Sequence, residues 1–194
     1  YNLAEWQHNK LVGSAGLSLP LGSISMRTEM PVGQGMKMPY AMQNGSGTFD
    51  LLSKITFVSQ SNHLSAGIQG NSIIRTGANK AGYRFGNRYA CTSWLSVKVN
   101  PWISTSARIE GVAERSISGS DSEIMTMMSP AANPANYGGE WLRIYPGINL
   151  YVPEGLLNNA RLNMEFGIPL GQSVNGIQMA GRYALMITLQ WQTI

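Results

Sequence analysis

Charged side chains are scarce in this sequence of 194 residues, where Asp, Glu, Lys and Arg together make up only 12%. Soluble domains usually carry about twice that share. The chain therefore lacks the charged coat that keeps a soluble domain dispersed, although 43% of its residues are hydrophobic. Low charge combined with 22 glycines favours a β-protein that is not surrounded by water alone.

Long hydrophobic runs are also missing, since no stretch reaches the roughly 18 apolar residues of a membrane-spanning helix. Any crossing of a bilayer must then use strands in a closed barrel. The single cysteine, Cys91, excludes an internal disulfide and a cysteine-based zinc site. The net charge of +4 comes without a dense Lys/Arg cluster, which argues against nucleic acid as a partner. The chain begins at Tyr1 with no signal peptide before it, which predicts a processed form or a fragment.

Alternation of apolar and polar residues dominates the sequence, and a period of two is typical of β-strands. The alternating segments are longer than the usual strand of about 5 to 6 residues in a soluble domain. They suit the roughly 9 to 11 residues that a tilted strand needs to cross a bilayer. The eight predicted strands are Lys10–Leu19, Thr48–Val58, His63–Arg75, Arg88–Asn100, Trp102–Arg115, Glu140–Val152, Arg161–Leu170 and Arg182–Gln192.

The connections between these strands alternate in length. Short polar turns lie at Ser59–Asn62, at Asn100–Pro101 and around residues 153–159, and longer segments separate the other strands. Short periplasmic turns and long external loops are typical of outer-membrane barrels, and this register places both chain ends on the short-turn side. The sequence predicts an all-β, antiparallel up-and-down transmembrane β-barrel, a single domain over residues 1–194, in the bacterial outer membrane.

The polar side of the strands carries Ser, Thr, Asn, Gln and a few charges of both signs. In a membrane barrel this side encloses water and the apolar side meets lipid. Unpaired buried charges would cost several kcal/mol each, so we expect Arg–Glu pairs, with Arg108 and Glu110 as candidates. A purely structural network is the alternative for any of these residues. The predicted pore-lining residues are Lys54, Arg75, Lys98, Arg108, Glu110, Glu114, Arg143, Arg161 and Glu165.

Aromatic residues lie near the predicted strand ends. Rings with polar tips at both ends of an apolar band form an interfacial girdle in membrane proteins. In a soluble barrel the same residues would be ordinary core aromatics. The predicted girdle consists of Tyr89, Trp102, Trp141, Tyr151 and Trp191.

Four blocks of sequence carry a family resemblance. Met38–Phe57 reads MPYAMQNGSGTFDLLSKITF and Leu17–Ile24 reads LSLPLGSI, and the blocks Leu95–Gly111 and Asn149–Met179 add to them. These blocks resemble the "MetA-pathway of phenol degradation" family of outer-membrane transporters. The resemblance implies a transporter barrel without catalytic residues. Family members are usually longer at the N-terminus, which implies upstream strands and a barrel of about twelve.

Methionine is the unusual residue, with 11 copies concentrated in two long connections. Thioethers are soft ligands suited to Cu(I), but flexible Met side chains also fill gaps where loops pack. We predict no metal or other cofactor, and copper binding by these loops stays open. The loop methionines are Met26, Met30, Met36, Met38, Met42, Met125, Met127 and Met128.

Taken together, these patterns predict a passive outer-membrane channel or transporter for small molecules, hydrophobic or aromatic solutes among them. A closed structural or ligand-binding barrel is the alternative, and a soluble lipocalin-like barrel is the third. The expected partners are outer-membrane lipid and a small-molecule solute, and self-association or association with other envelope proteins stays open. No enzyme is expected, because His8 and His63, the two histidines, have no evident catalytic partner in sequence.

Overall fold

The computed structural model describes residues 1–29, 35–152 and 159–191, and these residues form an all-β fold. Its only helices there are three short 3-10 turns, and none is long and apolar enough to cross a membrane. Nine strands form one sheet in which each strand pairs antiparallel with the one before it. They are β1 (Asn2–Trp6), β2 (Asn9–Ser18), β3 (Asp50–Gln60), β4 (Leu64–Arg75), β6 (Arg88–Lys98), β7 (Ile103–Glu114), β9 (Gly139–Val152), β10 (Ala160–Val174) and β11 (Ala184–Trp191). Two short strands, β5 (Tyr83–Arg84) and β8 (Ser118–Gly119), pair with each other outside this sheet.

The up-and-down topology is confirmed, and all eight predicted strands are present. Most of their ends lie within about two residues of the prediction, which is the usual uncertainty of a helix or strand boundary. The nine-stranded sheet is open in the described residues, because β1 and β11 each pair on one side only. The predicted closure into a barrel is therefore not formed by these residues alone.

Strand β1 is absent from the prediction because its turn lacks a sequence signal. The hairpin connection is Gln7-His8 rather than Asn-Gly or Asp-Gly, and Gln7 adopts a positive φ of 50°, as primed two-residue turns require. With β1 in place, the Tyr1 ammonium donates to the Gly13 carbonyl at 2.7 Å. The expectation that both chain ends lie on the short-turn side is thus wrong for the N-terminal end, which lies partway along β2.

Strand β10 continues past its predicted end at Leu170. Pro169 and Gly171 are residues that usually end a strand, but here a bulge absorbs them. The register of β10 against β9 shifts between Pro169 and Gly171, and pairing then continues to Val174. A bulge inserts one residue and bends the strand without ending the ladder.

The two sides of the sheet differ in chemistry, because neighbouring residues of a strand point to opposite faces. One row across five strands runs through Phe57, Ile68, Ser93, Ile109 and Ile144. The adjacent row, on the opposite face, runs through Thr56, Gln69, Thr92, Glu110 and Arg143. We call the first the outer face and the second the inner face.

The apolar side chains of the outer face are not covered by any other part of the described chain. Ile55 is 52% exposed and Leu189 is 73% exposed. The buried hydrophobic cluster lies instead in the long loops, and it consists of Tyr40, Tyr83, Ile117, Ile124 and Ala132. The apolar face of the sheet is therefore exposed, and the buried hydrophobic cluster lies outside the sheet.

Candidate functional site

A cavity of about 670 Å³ lies on the inner face, toward the short turns. Residues of β3, β4, β6, β7, β9, β10 and β11 line it, which shows that the inner face is the concave one. Half of the residues that line it carry hydroxyl or amide side chains, and Trp94, Trp102 and Tyr151 add aromatic surface. We call it the inner cavity.

Arg108 lies at the centre of a charged group on the inner face. Its Nη2 and Nε both donate to Glu165 Oε2, at 2.6 and 3.1 Å. Its Nη1 lies 3.7 Å from Glu110 Oε2. The predicted pairing of Arg108 with Glu110 is therefore present, but the closer partner is Glu165. These side chains, together with Tyr145, form the Arg108 cluster.

Tyr145 completes this cluster. Its hydroxyl donates to Glu110 Oε2 at 2.9 Å, and the Arg108 guanidinium carbon lies 3.7 Å from the centre of its ring. A guanidinium stacked on an aromatic face gains a cation–π attraction. The cluster joins β7, β9 and β10, so it braces three neighbouring strands through side chains as well as backbone hydrogen bonds.

Glycines make room for the large aromatic side chains of the inner face. A Cβ placed on Gly167 would lie 2.6 Å from Tyr145 Cε1. A Cβ on Gly67 would clash with the Trp94 indole and lie 2.7 Å from the Phe57 carbonyl oxygen. Both rings therefore lie close against these glycines, in space that a side chain would otherwise fill.

Lys98 and Arg161 lie on the inner face at the short-turn end, where both line the inner cavity. Both are exposed. The Arg161 guanidinium carbon lies 5.2 Å from the ring centre of Tyr151. Among the described residues, neither cation has a carboxylate oxygen within 4.0 Å.

The remaining predicted pore-lining residues lie on the inner face outside this cavity. Arg75 forms an ion pair with the buried Asp50 at the long-loop end of β3 and β4. The other three are placed by register: Lys54 opposite Asn71 on β4, Glu114 opposite Arg88 on β6, and Arg143 opposite Glu110 on β7.

The predicted aromatic girdle is only partly formed. Tyr89 and Trp191 are exposed by 46% and 63%, as an interfacial position requires. Trp102 is 62% exposed but lines the inner cavity. Trp141 and Tyr151 were expected there too, but this is wrong, because their strand parity places both on the inner face. Nearness to a strand end was the only signal used for them, and it does not distinguish the two faces.

The long loops pack into one unit, which we call the loop cap (residues 19–29, 35–49, 76–87, 115–138 and 175–183). The Tyr40 ring meets those of Tyr83 and Tyr137 edge-on, at 4.7 and 5.8 Å between ring centres. The backbone N–H of Asp121 donates to the Tyr40 hydroxyl at 3.1 Å. Burial raises the pKa of all three tyrosines above its ordinary value, because the charged phenolate is poorly solvated there.

A buried ion pair fixes the cap. Lys37 Nζ lies 2.6 Å from Asp121 Oδ2, and the two side chains are only 5% and 3% exposed. A second, more exposed pair joins Arg27 to Glu123. The last long loop is attached as well, since Gln178 Nε2 donates to the Gly138 carbonyl at 2.6 Å. The cap therefore connects loops that are far apart in sequence.

Most loop methionines are not gap fillers, which corrects that alternative. Exposed fractions run from 36% for Met36 to 100% for Met127, and Met42, Met125 and Met128 are also exposed. Met26 and Met38 are half-buried, and Met30 lies outside the described residues. No group of three or more His, Cys, Asp or Glu side chains suited to a metal occurs in the described part of the chain. Thioether binding of copper stays a prediction.

The lone cysteine and one histidine are both exposed. Cys91 is exposed on the outer face. His63 is exposed in the turn between β3 and β4, where its carbonyl accepts from the Lys98 backbone N–H at 2.8 Å.

Sequence reasoning missed the loop cap and the role of Glu165 as the main partner of Arg108. The cap residues come from separate loops, and no local period marks them. Glu165 could have been found by counting strands, because β7 and β10 are both neighbours of β9. Two inner-face residues one strand apart can meet across a concave sheet when one of them is as long as Arg.

No family model matches the sequence, and no curated protein matches it either. Among solved structures, the fold is similar to the crystal structure of an outer membrane channel from Pseudomonas putida F1, with a TM-score of 0.58 and 11% identity. The match covers 93% of this chain and 58% of that one, so the chain spans little more than half of the channel's length. At this identity the likeness establishes the fold alone: an antiparallel up-and-down β-sheet of the kind that forms an outer membrane channel.

Proposed function

We propose that this chain forms part of the wall of a passive channel for small molecules in the outer membrane of a Gram-negative bacterium. The observation that carries the proposal is the division of one long-stranded sheet into two faces. The outer face exposes Leu, Ile and Phe side chains to its surroundings, and the inner face carries Ser, Asn, Arg and Glu around a cavity. Such a sheet is matched to lipid outside and water inside.

Two further observations support the same proposal. The similar fold belongs to a protein described as an outer membrane channel. The sequence blocks that resemble the phenol-degradation transporter family lie along the same sheet and its first long loop. The outer face would then contact outer-membrane lipid, and self-association or association with other envelope proteins stays a proposal.

The membrane part of the proposal is tested by fractionation of cells that produce the full protein. We expect it in the outer-membrane fraction, extractable by detergent and not by alkaline carbonate. Recovery in the soluble fraction without detergent, with its Leu and Ile side chains packed in a dry interior, would contradict the proposal.

The channel part is tested by planar-bilayer recording. Wild-type protein should give discrete conductance steps, and Glu165→Gln should raise the permeability ratio of chloride to potassium, because it removes a negative charge beside Arg108. The matched control is Glu140→Gln, at the start of β9 with its side chain on the outer face. An equal shift in both variants would place the ion path elsewhere.

A closed barrel without transport is the second candidate, and the loop cap favours it. Its buried tyrosine cluster and its Lys37–Asp121 pair make the long-loop end well packed. A wild-type protein that inserts into bilayers but conducts no ions, even after Asp121→Asn loosens the cap, would favour this candidate over the channel.

A further inference from the structure

We propose that the inner cavity binds small organic anions with an aromatic body, and that Lys98 and Arg161 receive the carboxylate. This inference rests on the proposed function, since it names the class of solute for the same lumen. It starts from the balance of charge around the cavity. Among the described residues, three cations and one carboxylate line it: Lys98, Arg108, Arg161 and Glu165.

The cations differ in how far they are already neutralised. Arg108 donates two hydrogen bonds to Glu165 Oε2 and also lies close to Glu110. The charge of Arg108 is therefore balanced by carboxylates of the sheet itself. Lys98 and Arg161 have no described carboxylate within 4.0 Å. The described residues thus give the cavity an excess of positive charge at its short-turn end.

The chemistry of these two groups suits a carboxylate. A guanidinium offers paired N–H donors that match the two oxygens of a carboxylate, and an ammonium adds a point charge. A concave site with one sign of charge also focuses the field and concentrates counter-ions. The hydroxyls of Ser96, Ser104 and Ser106 on the neighbouring wall can solvate the carboxylate as it moves.

The aromatic surface of the cavity accounts for the ring of the ligand. Trp94 lies close against Gly67 of β4, and Tyr151 lines the cavity beside Arg161. Aromatic pairs in offset or edge-on contact are favourable beyond their buried area. The volume of about 670 Å³ falls within the range of roughly 300 to 1,000 Å³ that is usual for small-molecule sites.

The test is equilibrium binding of benzoate to the full protein in detergent, followed by quenching of tryptophan fluorescence. Wild-type protein should bind benzoate, and it should bind benzylamine, a cation of similar shape, at least about tenfold more weakly. The double variant Lys98→Gln/Arg161→Gln should weaken benzoate binding at least about tenfold. Lys54→Gln/Arg88→Gln removes the same charge from inner-face positions outside the cavity and should leave the affinity unchanged.

Equal benzoate affinity in the two double variants, or equal binding of benzoate and benzylamine by wild-type protein, would overturn the inference. The charge-preserving variant Lys98→Arg/Arg161→Lys distinguishes loss of charge from loss of folding, and it should retain benzoate binding. If this variant keeps the strand content of the wild type but loses binding, that result also counts against the site. Conductance of the same wild-type preparation separates the two proposals. Benzoate binding without conductance leaves the site standing and removes the channel, whereas conductance without benzoate binding does the reverse.

Discussion

The loop cap and the nine-stranded sheet are built on opposite principles. The cap buries tyrosines, isoleucines and an ion pair, as the core of a soluble domain does. The sheet leaves its apolar side chains exposed and gathers its charges on the concave side. The difference indicates that the cap is stabilised in water by its own packing, whereas the sheet depends on its surroundings to cover the outer face.

The two regions also handle charge differently. In the cap, Lys37 and Asp121 are almost fully shielded from solvent. On the inner face, Arg108 and Glu165 keep 19% and 14% of their side-chain surface exposed, and Lys98 and Arg161 are exposed. A shielded pair is a fixed structural element, while partly hydrated charges can respond to a solute.

The largest expected effect comes from breaking the shielded pair with Asp121→Asn. The variant leaves the buried Lys37 ammonium with only the more distant Glu123 carboxylate, whose Oε1 lies 4.0 Å from Nζ, and breaking a buried pair in this way costs about 3 to 5 kcal/mol. The free energy of opening the cap should fall accordingly, and hydrogen exchange of cap amides such as that of Ala132 measures it. Lys37→Met/Asp121→Leu should recover most of the loss. A cap equally protected in wild type and Asp121→Asn would show that the pair does not hold it closed.

The next effect tests whether the outer face meets lipid. Ile55→Arg places a charge at the middle of β3 on that face, which costs about 2 to 4 kcal/mol at a bilayer midplane. Urea unfolding of the protein in liposomes measures the free energy of unfolding. Thr92→Arg, on the inner face opposite Glu110, serves as the control and should cost little. Equal losses for the two variants would mean that the faces are not assigned to lipid and water as proposed.

A smaller effect concerns the aromatic wall of the inner cavity. Gly67→Ala forces the Trp94 indole away from the sheet, and such overpacking costs about 1 to 3 kcal/mol. Gly70→Ala on the same strand is the control, because its new Cβ would lie 3.8 Å from Ile55 Cγ2, an ordinary contact. We expect Gly67→Ala to shift tryptophan emission and to weaken benzoate binding. Identical emission and stability in the two variants would argue against close contact between the Trp94 indole and Gly67.

The smallest effect is a dependence of the cap on alkaline pH. Burial raises the pKa of Tyr40, Tyr83 and Tyr137, so the folded cap favours their neutral form. This stabilisation is fully present below the ordinary tyrosine pKa of about 10, and it is lost as the pH rises through the folded-state pKa. Absorbance of tyrosinate at alkaline pH measures the titration. Asp121→Asn should move part of it to lower pH, and an unchanged titration would show that the cap does not shield these hydroxyls.

Much of the sheet could be predicted from sequence because a strand is a local object. Alternation with a period of two fixes which residues share a face, so the predicted pore-lining residues, Arg108 and Glu165 included, all lie on the inner face. The short strand β1 was not predicted, because Gln7-His8 carries no turn signal. The end of β10 was not predicted, because a bulge accommodates Pro169. Trp141 and Tyr151 were assigned to the wrong face, because nearness to a strand end does not determine the face. The alternation of side chains along the strand does.

The inner cavity could be predicted only in part, since its residues come from seven strands and their contacts depend on curvature. Register alone pairs Glu110 with Arg143, yet the side chains that meet are Arg108 with Glu165 and Tyr145 with Glu110. On a concave surface, long side chains contact partners that the backbone register does not specify. The position of Trp94 over Gly67 differs in this respect, because the ladder pairs these two residues directly.

By itself the sequence determined the strands, their antiparallel order and the division into an apolar and a polar face, because these follow from side-chain alternation and turn length. The tertiary structure alone decided which charges are paired and which are left for a ligand, and it alone built the loop cap. Those outcomes depend on residues far apart in the chain meeting within a few ångströms, and no local pattern encodes such meetings.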